Sequence, residues 1–245
     1  MAGIIKGIKA AFGDVEMAPY TIIVERGGYE ERLYPARKWA CTKMKGMDQS
    51  SLISPMFRKL FNYISGKNEP NIRIDMTSPV TTYVEPSAGP TCESTFTMGF
   101  LVPEEHQNLP PPPSDKSIFI EERPTLTVYT RRFGGYTSDD IILKEARDLA
   151  EEIQKQNEPS VNFDQYYIVG YDPPFKLFGR RNEIWFVKNT DNGEFPREQG
   201  KAETANGTES VITENIKNGN VVQQDVEVNS EAAILQEIED LELKD

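Results

Sequence analysis

The stretch Gly170-Tyr171-Asp172-Pro173-Pro174-Phe175-Lys176-Leu177-Phe178-Gly179-Arg180-Arg181-Asn182-Glu183-Ile184-Trp185 decides how the folded part of this chain ends. It predicts two strands, Tyr166–Tyr171 and Glu183–Lys188, joined by a loop that its two prolines stiffen. The loop places three cations beside three large apolar side chains. The composition changes abruptly after this hairpin, so we predict that the hairpin closes the folded domain.

The acidic charge of the chain is concentrated behind the hairpin. The 245 residues carry a formal net charge of −12, and residues 189–245 alone contain 14 acidic and 4 basic residues. Phosphate neutralisation needs clustered Lys and Arg, so this balance argues against nucleic acid as the main partner. The segment 189–245 is poor in aromatic residues, and we predict that it is disordered. Within it, residues 231–243 predict a short helix that either docks on a protein partner or frays.

Residues 1–188 are predicted to form one domain, with residues 1–15 loosely held. Cys41 and Cys92 stand in no metal-binding or disulfide-framework spacing. The N-terminus lacks the apolar core of a signal peptide, and Ala2 stands where myristoylation needs glycine. We therefore predict a cytoplasmic, monomeric protein without a membrane span.

The order of predicted elements repeats itself. In each half, two strands lead into a helix and two further strands follow it, which gives ββαββ twice. This pattern favours an α+β fold with quasi-symmetric halves and a cleft or core between them. The predicted strands are Tyr20–Glu25, Leu33–Met44, Ser78–Glu85 and Thr95–Val102 in the first half, and Ile118–Arg123, Leu126–Phe133 and the closing hairpin in the second.

The first predicted helix, within Asp48–Ser65, carries an unusually wide apolar stripe. Its members are Met56, Phe57, Leu60, Phe61 and Ile64, and the cations Arg58, Lys59 and Lys67 flank them. Gly66 is predicted to end the helix, and Pro55 to begin or kink it behind a Ser54 cap. The second helix is predicted to begin at Thr137. Spacing alone leaves two interpretations of the stripe open: an ordinary core face, or a surface for a flat apolar ligand with carboxylates.

Catalytic signatures are scarce. His106, between Glu105 and Gln107 in the proline-rich connector 103–115, offers no orienting partner for a nucleophile. The glycine pairs of the sequence are typical of turns, not of a phosphate-binding loop. The sequence therefore predicts a binding protein and not an enzyme.

A set of motifs over about residues 16–188 resembles the SOUL/haem-binding protein family. The motifs are Tyr29-Glu30-Glu31-Arg32, Ala36-x-x-Trp39, Tyr63-Ile64-x-Gly66-x-Asn68, Met76-Thr77-Ser78-Pro79-Val80, Pro110–Lys116, Ile120-Glu121-Glu122-Arg123, Phe133-Gly134-Gly135-Tyr136 and the closing hairpin. The resemblance implies a distorted antiparallel β-barrel built from two halves and flanked by two α-helices. It also implies that haem or a related tetrapyrrole binds in an open apolar groove along the first helix.

The predicted haem contacts come from this resemblance and from the composition of the closing loop. The set is Met56, Phe57, Leu60, Phe61 and Ile64 on the helix, and Phe175, Lys176 and Arg180 on the loop. Lys176 would lie near a propionate, and Lys38 and Trp39 occupy the region where SOUL-type members carry a proposed axial histidine. We therefore predict haem binding without a strong axial ligand. Two alternatives stay open: an interaction protein acting through its acidic tail, and a general binder of planar apolar molecules.

Overall fold

A computed structural model describes residues 15–87, 93–156, 161–172, 176 and 178–189 of the chain. The helices of this part are α1 (Ser50–Ile64), a 3-10 turn (Glu104–His106) and α2 (Asp139–Lys155). The strands are β1 (Glu16–Met17), β2 (Thr21–Glu25), β3 (Glu30–Tyr34), β4 (Arg37–Gly46), β5 (Thr77–Ser78), β6 (Val80–Glu85), β7 (Ser94–Leu101), β8 (Ile118–Arg123), β9 (Leu126–Phe133), β10 (Tyr166–Gly170) and β11 (Asn182–Val187). The predicted tail beyond residue 189, its helix at 231–243 and residues 1–14 lie outside the described residues.

Nine of these strands form one antiparallel sheet in the order β2-β3-β9-β11-β10-β6-β7-β4-β8. The two-residue link between β3 and β4 joins the second strand of this order to the eighth. Residues 34 and 37 are at most about 11 Å apart along the chain, whereas six strand spacings in a flat sheet would measure about 29 Å. The β8–β9 link imposes the same constraint, so the sheet must curl strongly.

The α+β class is confirmed, since a large antiparallel sheet carries two helices. The predicted closed barrel is not confirmed, because β2 and β8, the two edge strands of the described sheet, are not paired with each other. The predicted duplication of halves is not confirmed either.

The predicted strand Leu33–Met44 was wrong as a single element. The chain breaks at Pro35, because proline supplies no N–H donor and turns the chain out of the ladder. β3 pairs with β9, whereas β4 pairs with β7 and β8 on the far half of the sheet. The closing hairpin is confirmed, with Gly170 opposite Asn182 and Tyr167 opposite Trp185.

Helix α1 begins earlier than its proline predicts. Pro55 lies inside the helix, five residues after Ser50, so the predicted start at Ser54 and Pro55 was wrong. Tertiary contacts hold the first turn despite the missing N–H: Asp139 of α2 accepts hydrogen bonds from Gln49 N (3.3 Å) and Ser50 Oγ (3.0 Å). The predicted end is confirmed, since Gly66 follows the helix at a φ of 113°.

Both helices lie on the same side of the sheet, which we call the helix side. α1 packs on β4 and β7, and α2 packs on β9 and β11. The buried face of α2 consists of Ile142, Ala146, Leu149, Ala150 and Ile153. The helix begins at Asp139, two residues after the predicted Thr137. The Ser138 Oγ accepts the Ile141 N–H and caps that end. The central strands β10 and β6 therefore run between the two helices.

The opposite side of the curled sheet, the inner face, holds a second core. It contains Tyr34, Trp39, Tyr83, Tyr167 and Trp185, packed ring against ring. Two arginines, Arg32 and Arg123, are buried in this aromatic interior. The inner face is thus filled by the protein's own side chains.

Candidate functional site

One row of paired residues crosses the helix side at the hairpin end of the sheet. From β7 to β9 the row reads Phe100, Val80, Gly170, Asn182 and Phe133, each opposite the next. Four strand spacings separate the two phenylalanines, about 19 Å when followed along the curled sheet. Between them the middle of the row carries small side chains, so a shallow floor lies between α1 and β9.

Gly170 marks the open part of this floor. A Cβ atom built on Gly170 would meet no heavy atom of the described structure within 4 Å. Val80 and Phe133 beside it are half-buried, although they pack against the main core. The sheet therefore leaves an apolar surface uncovered here, where interiors are normally close-packed.

Helix α1 supplies one wall through two aromatic rings. Phe57 and Phe61 stack at a centroid distance of 5.9 Å and an interplanar angle of 15°. The edge of Phe57 meets Phe100 at 5.2 Å, which fixes the pair to β7. Both rings are half-buried and hold part of their faces toward solvent. A planar apolar molecule suits such a wall, because aromatic faces favour offset stacking.

The predicted helix residues divide into two groups. Met56, Leu60 and Ile64 are between 0% and 6% exposed and belong to the core, so they support the wall from behind. This division follows from the width of the stripe: positions i, i+4 and i+8 point at the sheet, and the positions just after them lie at its border. In this conformation Phe57 and Phe61 are the two stripe residues whose side chains are partly accessible to solvent.

Met76 completes the depression and was missed as a site residue. Its chain neighbours place it: Ile74 N donates to Ile64 O at the end of α1, and Thr77 Oγ1 donates to Leu101 O beside Phe100. Met76 is half-buried and packs against the main core. We call the surface of Phe57, Phe61, Met76, Val80, Gly170 and Phe133 the helix-side depression. Strand register, which local spacing does not encode, brings these residues together.

Two predicted cations lie at the hairpin end of the sheet, where the depression is. Lys176 is partly exposed and forms an ion pair with Asp172. The Arg180 guanidinium lies 4.7 Å from the centre of the Tyr136 ring and donates to Lys176 O. Phe175 lies outside the described residues. Cationic groups therefore stand on the loop that leaves β10 next to Gly170.

The inner face offers a contrasting cavity. Its lining combines Tyr34, Arg37, Trp39, Arg123, Tyr167 and Trp185 with Ala18, Leu126 and three prolines. The Arg123 guanidinium is already engaged by Glu121 (2.6 Å), by Thr81 Oγ1 (3.0 Å) and by the Trp39 ring. This cavity is narrow and its charges are matched internally, so it is a poor place for a large ligand.

Burial changes the acidity of several titratable groups in the described interior. Burial raises the pKa of the Cys41 thiol, although the charge of Arg123 opposes the shift, so Cys41 is a weak nucleophile. Burial also raises the pKa of Tyr63 to about 12 and that of Tyr34 to about 12. His106 lies in the 3-10 turn beside Glu105 (3.3 Å). Among the described residues, no group of three or more His, Cys, Asp and Glu could hold a metal ion.

A search of the described helices found none that is both long enough and apolar enough to cross a membrane.

Comparison with known proteins identifies the family. The family model described as "SOUL heme-binding protein" matches residues 15–187. Heme-binding protein 2 of Homo sapiens is 40% identical over 176 residues, which cover 71% of this chain and 84% of that protein. Heme-binding protein 1 of Sus scrofa is 35% identical over 192 residues, covering 77% of this chain and all of that protein.

Among solved structures, the C-terminal domain of EcmrR is a distant match. It is 13% identical, has a TM-score of 0.47, and covers 66% of this chain and 99% of its own. That likeness is too weak to inform the site. The family match extends over almost the whole described part of the chain, and the chain belongs to the SOUL heme-binding protein family.

Proposed function

We propose that this chain binds haem or a related tetrapyrrole non-covalently in the helix-side depression, as a carrier or buffer and not as an enzyme. The family relationship supplies the ligand class, since its members are named for heme binding. The single observation that carries the location is the floor at Gly170, which no described residue covers, two strands from the Phe100 ring that Phe57 contacts. The cytoplasmic setting and the monomeric state stay predictions.

The residues of the depression fit a porphyrin in shape and chemistry. The macrocycle is flat and apolar, and stacked rings on one wall with a small-residue floor suit such a face. Met56, Leu60 and Ile64, predicted as direct contacts, would act by holding that wall in place, because they are buried beneath it. We propose the exposed members, Phe57 and Phe61, as the contacting side chains.

The propionates of the ligand would find cations at the hairpin end. Lys176 and Arg180 are the proposed partners, as charge-assisted hydrogen bonds to carboxylates require. Lys176 is already paired with Asp172, so a propionate would have to compete with that carboxylate. We therefore expect apolar burial to contribute more to affinity than ion pairing does. The one histidine of the chain, His106, lies in the 3-10 turn and not in the depression, and we propose binding without a strong axial ligand.

We also propose, from the strand order, that eight of the nine strands form two quasi-equivalent groups that meet between β10 and β6, with the depression at this seam. β3, β9, β11 and β10 stand on one side of the seam, and β6, β7, β4 and β8 on the other. Each helix packs on the corresponding pair of strands in its half. A cleft between quasi-equivalent halves is a common place for a ligand.

A haemin titration followed by the Soret band tests the proposal. The full chain should saturate near one haemin per chain, and Phe61→Ala should weaken binding about tenfold through lost apolar contact. Gly170→Val should also weaken binding, because the new side chain fills the floor. Leu109→Ala is the matched control, since Leu109 is 83% exposed on the connector. Binding that is unchanged in both depression variants would exclude this site.

Lys176→Gln separates the ionic contribution from the apolar one. It should weaken haemin binding only a few-fold, as expected for a partly exposed charge. Lys45→Gln, at an exposed position of β4, serves as its control. A loss as large as that of Phe61→Ala would contradict the proposed balance.

A further inference from the structure

The end of the sheet beside the depression carries a feature that haem binding does not use. The loop before β11 exposes Phe178, whose side chain is 84% accessible to solvent. Tyr136, on the loop after β9, is 40% exposed. Large exposed aromatics are costly in water and frequently mark interaction surfaces.

Two contacts join the two loops. Asn182 Nδ2 donates to Gly135 O (2.8 Å), and Arg180 lies over the Tyr136 ring. Gly135 at φ 82° and Gly179 at φ 64° adopt the left-handed backbone that glycine allows at such turns. We call residues 134–136 and 178–182 the paired tip, and Phe178 is its most exposed side chain.

The charge around the paired tip is positive in an otherwise acidic chain. Residues 173–181 contain three cations and no carboxylate. Exposed Arg132 on β9 adds a fourth cation at this end of the sheet. Asp172 and Glu183 offset two of the charges through ion pairs with Lys176 and Arg181. The surface that remains presents an aromatic side chain beside arginines.

The acidic segment of the chain leaves from the far end of the same strand. β11 begins at Asn182 beside the paired tip and ends at Val187, five residues on, which is about 17 Å. The screening length of physiological salt is about 8 Å. Val187, two residues before the last described residue, thus lies about two screening lengths from the paired tip.

We propose that the paired tip docks the protein on an anionic lipid surface, with Phe178 inserted at the headgroup level and the cations against lipid phosphates or carboxylates. Aromatic side chains favour that interface, and each cation near an anionic leaflet adds attraction. A lipid surface suits this loop better than a protein pocket, because an inserted ring needs no shaped partner. The proposal rests on Phe178, which the proposed haem site does not include, although it shares Lys176 and Arg180 with that site, and docking there would bring the depression close to a membrane.

Flotation of the ligand-free full chain with phosphatidylcholine vesicles, with and without phosphatidylserine, tests the proposal. Binding should require phosphatidylserine and weaken with added salt. Phe178→Asp should lower the vesicle-bound fraction about tenfold or more, and Leu109→Asp, at another exposed apolar position, should leave it unchanged.

Three outcomes would overturn the proposal: no binding to phosphatidylserine vesicles, equal binding to both vesicle types, or Phe178→Asp binding as well as the wild type. A haemin titration of Phe178→Ser keeps the two proposals distinguishable, because Phe178 is outside the helix-side depression and serine adds no charge beside Lys176 and Arg180. Its haemin affinity should match that of the wild type whatever the vesicles show.

Discussion

On the inner face of the large sheet, Glu183 is fully buried and accepts hydrogen bonds from several donors. Arg32, Arg181, Tyr171 and Trp185 all donate to it at 2.7–3.3 Å. On the helix side, by contrast, Phe57 and Phe61 stack on each other and stay partly exposed. The inner face pairs its buried charges internally, whereas the helix side leaves apolar surface in contact with solvent. Covering the apolar surface of the helix side with a ligand would therefore be favourable, because it removes that surface from water.

The largest effect is expected from the inner face, where Glu183→Gln should destabilise the fold by about 3–5 kcal/mol. The substitution keeps the shape but leaves the buried charge of Arg32 beside a neutral group. Glu30→Gln is the matched control, because Glu30 contacts the same guanidinium (2.7 Å) at 33% side-chain exposure. It should cost about 1 kcal/mol or less. Urea unfolding of the variants measures the difference, and equal costs would contradict the view that burial sets the effect.

The loss of folding stability at acidic pH should also report on the Glu183 carboxylate. Burial alone would raise the pKa of Glu183, but the charges of Arg32 and Arg181 and the Trp185 N–H together hold that pKa below its usual value. The unfolded chain then takes up this proton at a higher pH than the folded chain does. The stabilisation is present above about pH 4.3 and is lost as the pH falls through the lower, folded pKa. Glu183→Gln should remove this part of the acid sensitivity.

The next prediction compares two adjacent residues of α1, one buried in the core and one at the border of the stripe. Leu60→Ala removes a fully buried side chain and should cost about 2–5 kcal/mol of unfolding free energy. Phe61→Ala, one residue on, should cost less, about 1–2 kcal/mol, because its ring is only partly buried. Haemin affinity should respond more directly to Phe61. If Phe61→Ala destabilised the fold as much as Leu60→Ala, the ring would belong to the core and not to an open surface.

Local patterns predicted much of the fold, and the site only in part. The spacing of Met56, Leu60 and Ile64 identified α1, and alternation identified the closing hairpin. Spacing alone cannot say which border of a wide stripe stays uncovered, because that depends on the strands that pack against it. Gly170 and Phe133 lie in one row of the sheet because each is paired with Asn182 of β11. This row depends on strand register, which cannot be predicted from their separation in the sequence. Pro35 could have predicted the end of a strand, but the prediction of one strand over Leu33–Met44 did not use it.

The smallest effect tests whether the helix side also contains a matched group. Asp139 joins the two helices through Gln49 N and Ser50 Oγ, and its burial raises its pKa, although the hydrogen bond from Ser50 opposes the shift. The folded chain therefore holds this proton at a higher pH than the unfolded chain does. Relative to Asp139→Asn, the wild type should lose stability as the pH rises through that window, which is opposite in sign to Glu183.

Asp139→Ala should cost about 1 kcal/mol near neutral pH, since both hydrogen bonds are lost. Asp139→Asn should lie close to the wild type, because its amide oxygen still accepts from Gln49 N and its NH₂ group reaches the Ser50 hydroxyl oxygen. Urea unfolding of the three proteins at neutral and mildly acidic pH measures the sign directly. A wild type that loses stability relative to Asp139→Asn on acidification would mean that Asp139 is ionised and matched like Glu183. The contrast between the two faces would then rest on the exposed aromatic wall alone.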